Sequence, residues 1–452
     1  MIHIRYILST ILIPGLIFGL VLVSALTLSL NVAASEHDDD DLVIEINQGV
    51  VRPITLAISP LNSDNSQLSR QLDKILANDL RLSGHMTAIK ARDMPNQPFR
   101  AEQIIYPTWR KSKAEYLIFG ELSRDRRNKY QLNVTVADIL SGDIRDSKLF
   151  KFDVKYTRDF GHYVSDYVYK VITGLDGSFS TKIAYVKRAV SRGKKVYRLI
   201  VADSDGARER VIVTSDEPLS SPSWSPDSSK IAYVSFEFGR SNIFIQDIAS
   251  GRRQLITDFK GINSAPSWSP DGKTLAVVLS QGANADIYLI DINTAEYKRV
   301  TRHPDIDTEP SWSKDGSKLL FTSDRNGLPQ IYQYNLKTGK ITYLIKQRSY
   351  SASAHYTHND KEVIMINVIG GKYSVIMYNL KSRKITRISK TSLDDSPSVS
   401  PDGNRVIYST KRGGRNVLAI ASVDLGNSVY LNSGKGDVTS VAWSPFIFKF
   451  SF

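Results

Sequence analysis

Few side chains in this sequence are placed to do chemistry. His355 and His358 stand three apart, a spacing that on a helix would turn two imidazoles toward one metal ion. In register with the repeat described below, they instead occupy the strand and turn positions of Ser267 and Pro270, so a drifted repeat accounts for them better than a zinc site. The carboxylates Asp307, Glu309, Asp394 and Asp395 stand just before two short strands of like design. Gathered around a channel mouth they could supply an acid/base pair, although loops at such a mouth more often recognise a partner. No Gly-x-Ser-x-Gly elbow occurs, which removes the serine-hydrolase arrangement. The chain has no cysteine, which excludes disulfides and thiolate metal sites. The expectation is therefore no catalytic residue, no metal ligand and no cofactor.

What would position these residues is a repeat. Trp224, Trp268, Trp312, Tyr356, Val399 and Trp443 follow one another at steps of 44, 44, 44, 43 and 44 residues. The text around them reads Ser-Pro-Ser-Trp-Ser-Pro-Asp (221–227), Ala-Pro-Ser-Trp-Ser-Pro-Asp-Gly (265–272), Glu-Pro-Ser-Trp-Ser-Lys-Asp-Gly (309–316) and Ser-Pro-Ser-Val-Ser-Pro-Asp-Gly (396–403). Asp203, Asp247, Asp291, Asn335 and Asn379 keep the same beat independently. Ser-Pro-Asp-Gly suits a type I turn, because Pro presets φ at its second position and Gly is tolerated at its fourth. Continuous apolar runs follow, such as Ile231–Val234, Leu275–Val278 and Val406–Tyr408, which fit strands covered on both faces. Four short strands per period of this length point to propeller blades.

The second-strand run occurs six times, at 183, 231, 275, 319, 363 and 406. The first lacks its Trp phrase, and an extra phrase at 440–445 has no repeat behind it. A ring repairs both faults if Asp437–Trp443 becomes the inner strand beside 182–214, which also leaves few exposed strand edges. The fold class expected is thus mainly β: a six-bladed β-propeller over 182–446, closed by the C-terminal strand. A small α/β domain over 51–174 precedes it, joined by a hinge at 175–181, and a tail at 447–452 follows. In that domain Leu68, Leu72, Ile75, Leu76 and Leu80 keep helical spacing up to Gly84, and Phe160, Val164, Val168 and Val171 mark a second helix ending at Gly174.

Residues 6–30 are apolar behind Arg5, and Val32 and Ala34 fit a signal-peptidase site. The segment 1–34 therefore reads as a cleavable signal peptide, with an uncleaved anchor as the alternative. Either way the bulk lies outside the cytoplasm. The net charge is +13. Residues 35–180 are near neutral, so the excess falls in the propeller, spread over turns without the aromatic interleaving of a nucleic-acid binder. An acidic partner, the cell envelope or simple solvation are the readings left.

Ala-Glu-Tyr-Leu-Ile-Phe-Gly (114–120), Val-Ala-Asp-Ile-Leu-Ser-Gly (136–142), Thr-Gly-Leu-Asp-Gly-Ser-Phe-Ser-Thr-Lys-Ile-Ala-Tyr-Val (173–186) and Ala-Trp-Ser-Pro (442–445) resemble, in order, the text of the TolB family of the periplasmic Tol–Pal envelope system. Departures are the acidic run Asp38–Asp41, the worn phrase at 354–360 and the tail. The resemblance implies a monomeric, non-enzymatic periplasmic scaffold that supports outer-membrane integrity and constriction at cell division. It implies Pal lipoprotein at the propeller mouth, on Ile262, Asn263, Ser264, Ala265, Asp307, Thr308, Glu309, Asp394, Asp395 and Ser396. Ser351 and Ala352, and loops carrying Arg240, Asn326 and Arg412, would share that face. It implies TolA on the extension 35–50, where Leu42, Val43, Ile44, Glu45 and Ile46 alternate as a strand able to join a partner's sheet. The alternative is an exported propeller enzyme or carbohydrate binder acting at the same mouth.

Overall fold

The computed structural model describes residues 52–125, 129–191, 193–282, 284–345 and 349–447. The signal segment, the strand expected at Leu42–Ile46 and residues 448–452 lie outside them. The N-terminal part is a mixed sheet in the order Met86–Ala88, Ile54–Ile58, Tyr116–Arg124, Tyr130–Asp138, Ile144–Phe152, with Asn62–Ser63 beside the third of these. Two helices, Ser66–Leu82 and Thr157–Thr173, cover one face. The Asn65 side chain caps the first by accepting from the Leu68 N–H, and Gly174 ends the second at φ 76°, donating to the Lys170 carbonyl. Gly161 lets the helices close up, since a Cβ there would meet the Ile75 side chain at 3.0 Å. Phe152 stacks on Phe160 at 3.9 Å to seal helix to sheet.

Six four-stranded antiparallel sheets follow. Blade 1 takes its inner strand, Asp437–Trp443, from the far end of the chain and pairs it with Lys182–Ser191, Trp443 opposite Ile183 and Asp437 opposite Arg188. Blades 2 to 6 begin with inner strands Leu219–Trp224, Asn263–Trp268, Asp307–Trp312, Ser351–Tyr356 and Asp395–Val399. The apolar second strands are buried on both sides because each blade packs on the next. Val186 and Leu199 of blade 1, for example, share a core with Ile231, Tyr233 and Phe244 of blade 2. The turns behave as their sequence demands. The fourth residue donates to the first in each, as Gly272 N–H to the Ser269 carbonyl at 3.0 Å, and the Asp accepts from the leading Ser hydroxyl, as Asp271 from Ser269 at 2.6 Å.

The later half of the joint between the two parts is packed down between them. Asp166 accepts the Phe179 and Ser180 N–H groups, and Ser178, Phe179 and Thr181 are buried. Arg405 of blade 6 lies between the Phe179 and Trp443 rings, 4.4 and 4.9 Å from their centroids, and donates to Ser178 at 2.6 Å. Trp443 donates to Thr181 at 2.8 Å. One arginine thus ties the connector to the closing strand. Ending the chain before Asp437 should therefore expose the edge of Lys182–Ser191 and empty the space beside Arg405. The expected outcome is a sharply lower, less cooperative thermal transition by circular dichroism; an unchanged transition would show that closure contributes little.

Candidate functional site

The inner strands line the channel, and all six break at the same place. Three residues before each Trp-equivalent, Ser221, Ala265, Glu309, Ser353, Ser396 and Ser440 sit at φ between 47° and 54°. The ladder skips there, for instance between Ser264 and Ser267 and between Thr308 and Ser311. Proline fits the gap, since Pro222, Pro266, Pro310 and Pro397 follow the left-handed residue and have no N–H to lose. A non-glycine residue in this region costs about 1–3 kcal/mol and persists only where its surroundings over-determine it, which is why such positions cluster at sites of recognition. A ring of six bulges re-aims the backbone and side chains immediately inside the mouth.

The ten mouth residues divide in two. Asn263, Asp307 and Asp394 turn inward and are buried. The Asn263 amide holds its own loop through the Phe259 carbonyl at 2.8 Å. Asp307 takes both its bonds from Arg325, at 2.8 and 3.0 Å, and Asp394 accepts from the Ser389 and Thr391 hydroxyls. These three shape the mouth and are not open to contact. Ile262, Ser264, Ala265, Thr308, Glu309 and Ser396 are partly exposed, and Asp395 is exposed. Glu309 is also a tie: it accepts from Thr322 Oγ1 at 2.7 Å, from the Ser353 N–H at 2.8 Å and from Ser353 Oγ at 2.9 Å, binding blade 4 to blade 5. Asp395 is open to channel solvent yet crowded by the channel walls. Desolvation there, with the like charge of Glu309, pushes its carboxyl above the usual range.

Sequence reasoning named no apolar rim, yet one is present. Phe238, Ile306, Leu328 and Leu393 are exposed in loops on this face, and Tyr373 near the tip of a strand. Isolated apolar residues in polar loops gave little signal, because only the antiparallel register brings those loops together. His355 and His358 part company as their register implied. His355 lies on an inner strand, 3.2 Å from Ser311 Oγ, where burial pushes its imidazole down to about 4. His358 sits in the following turn with its Nε2 3.3 Å from Lys314.

Another cluster escaped the sequence entirely. On the opposite face, where the N-terminal part packs against blade 1, Asp79, Asp159, Asp203 and Asp205 meet Arg158, Lys182, Arg208 and His162. Donor atoms of Asp79, His162 and Asp205 lie within 4.8 Å of one another, a spacing that could hold a metal. The charges already balance, however: three fixed cations and a protonated His162 face four carboxylates. Burial alone would depress the imidazole, but Asp79 at 2.7 Å and Asp203 outweigh it and push it up to about 10 from its ordinary 6.5. Despite burial, the bonds from His162, Arg208 and Lys182 hold the Asp203 carboxyl well below the carboxylate range.

The fold is a six-bladed propeller with an α/β domain on the face opposite the mouth. Residues 169–447 match the model of the TolB beta propeller domain, and residues 42–145 that of the TolB amino-terminal domain. A Tol-Pal system protein TolB from Hahella chejuensis is 55% identical over 409 residues, 90% of this chain and 95% of that protein. One from Marinomonas is 56% identical over 407 residues, covering 90% and 94%. The crystal structure of TolB from Acinetobacter baumannii superposes with a TM-score of 0.80 at 35% identity, covering 87% of this chain and 97% of that one. The chain belongs to the TolB family of the Tol–Pal system, a family of non-enzymatic scaffolds.

An imidazole whose pKa is raised on folding contributes stability that is complete below its unfolded value and lost as pH rises through the folded one. For His162 that window runs from 6.5 to about 10. Thermal stability of the wild type should therefore fall across it more steeply than that of His162→Gln, whose curve should be flatter and lower at pH 6. Parallel curves would show that the imidazole is not the proton-binding group.

Proposed function

We propose that this chain works in the periplasm, after removal of residues 1–34, as the scaffold that receives the lipoprotein Pal at the propeller mouth and reaches TolA through Leu42–Ile46. In that role it supports outer-membrane integrity and envelope constriction at division. The mouth carries the reading. Small and polar groups at Ser264, Ala265, Thr308, Glu309, Asp395 and Ser396 lie at or beside strained bulges, and apolar side chains at Phe238, Ile306, Leu328 and Leu393 stand around them. A preorganised floor within an apolar rim suits the surface of a folded protein, since little is lost to ordering on binding.

Thr308→Arg adds bulk and charge to the floor without removing a tie, and should weaken Pal binding more than tenfold, about 1.4 kcal/mol, with unchanged circular dichroism. Glu309→Lys should weaken binding as much and also lower stability, because Ser353 and Thr322 lose their acceptor. Asp271→Ala and Asp315→Ala, in turns on the opposite face, should lower stability and leave the affinity of folded protein alone. Calorimetric titration of all four with Pal checks this, and the reverse pattern would place the binding face on the wrong side. Removing residues 35–47 should abolish TolA binding while sparing Pal; undiminished TolA affinity would refute the N-terminal assignment.

A further inference from the structure

The blades are unequal at the mouth. Second strands have 6 residues in blades 2, 3 and 4, but 10 in blade 1 and 8 in blades 5 and 6. All six second strands start at an equivalent rung, Lys182, Lys230, Thr274, Lys318, Glu362 and Arg405 each facing the last residue of the third strand. The extra strand length therefore lies wholly on the mouth side. The paired ladder thus runs up to a tight turn in three consecutive blades, 5, 6 and 1, where blades 2, 3 and 4 end in open loops, and blade 1 is also longer overall.

Their composition is one-sided. Residues 187–198, 368–374 and 410–417 contain no Asp or Glu, and they carry Arg188, Lys194, Lys195, Lys372, Lys411, Arg412 and Arg415, all exposed. In the corresponding loops of blades 2 and 4 the cations are paired, Arg240 with Asp258 and Arg325 with Asp307. On the hairpins of blades 1 and 6 Arg188 pairs with Asp437, and Arg412 lies over the Tyr430 ring at 4.2 Å. Lys194, Lys195, Lys372, Lys411 and Arg415 form no ion pair with the described residues. Apolar side chains stand among them, Val190 at 73% exposure and Tyr373 at 40%. The tips turn on Gly193, Gly370–Gly371 and Gly413–Gly414, around which nothing lies within 4 Å of an added Cβ. Blades 6 and 1 meet at Asp437, which accepts from the Asn416 N–H at 3.1 Å and from Arg188 at 2.8 Å, so these two hairpins move as one wall.

We propose that the hairpins of blades 5, 6 and 1 form a docking face for an anionic bilayer surface, separate from the mouth floor. Flexible lysines at open tips recognise diffuse charge rather than one shaped acidic partner, and hairpin tips meet a flat surface before the recessed floor does. Val190 and Tyr373 supply the shallow apolar contact that accompanies interfacial binding.

Sedimentation with vesicles of phosphatidylcholine, with and without phosphatidylglycerol, tests this with both the full chain and the chain from Ser35, so that the apolar leader is controlled. Binding should require phosphatidylglycerol and be released by salt. Lys194→Glu/Lys195→Glu/Lys411→Glu should lower it at least tenfold, and Val190→Ser/Tyr373→Ser severalfold. The charge-matched control Lys337→Glu/Lys340→Glu/Lys381→Glu, in turns on the far face, should bind like wild type, as should Thr308→Arg, which separates this face from the Pal reading. Equal loss in the control, no preference for phosphatidylglycerol, or binding to soluble polyglutamate as tight as to vesicles would overturn the bilayer as partner.

Discussion

The whole propeller hangs on seven residues from the far end of the chain. Without Asp437–Trp443, the strand Lys182–Ser191 would be an open edge, and a bare row of N–H and C=O groups is both costly to bury and prone to pair with other chains. The closing strand removes that edge, and the joint is reinforced where the ladder alone would fray. Ser444 and Lys182 exchange bonds at 2.9 Å in both directions, and Trp224 of blade 2 donates to the Ala442 carbonyl at 3.2 Å. Pairing residues some 250 positions apart is entropically slow to find, and such long-range topology delays folding. It also makes the ring cooperative, because blades 1, 2 and 6 all lose partners if the strand leaves.

Closure fixes the mouth as well. Each left-handed residue is tolerable only because its blade is wedged between neighbours, and several make that dependence explicit. Glu309 in blade 4 satisfies the Ser353 N–H in blade 5, so one strained residue supports the next. Charge-assisted bonds of this kind are stronger than neutral ones, and here they act across a blade boundary. At Glu309 the floor is thus held by a tie from one blade to the next.

What could be read from the sequence was whatever repeats or acts locally. The turn of Ser269, Pro270, Asp271 and Gly272 is a four-residue object, and the Trp step counts blades without any structure. Closure followed from a phrase missing at one end and surplus at the other. The inward turn of Asn263, Asp307 and Asp394 was hidden because the bulge breaks the period-2 alternation on which inside and outside are assigned. Arg325 stands 18 residues from Asp307 in a loop of another strand, and no periodic rule pairs them. The clamp of Asp79, His162 and Asp203 was illegible for a similar reason. It joins two helices of one part to a strand end of the other, and neither Asp79 nor His162 carries a pattern that points to Asp203. Its balance of four carboxylates against four cations is visible only once they are buried together.

The chemistry of the mouth explains why a rim of carboxylates does not make an enzyme. An acid/base pair needs two carboxyl groups free to exchange protons with a bound molecule. Asp307 is bonded by Arg325, Asp394 by two hydroxyls, and Glu309 by Thr322 and Ser353, so each is already occupied by a structural duty. Asp395 has a raised pKa, often a mark of catalysis, but the nearest candidate for its counterpart is already committed to holding blade 5. The raised carboxyl of Asp395 follows from desolvation in the channel and from the like charge of Glu309, and neither calls for a catalytic partner.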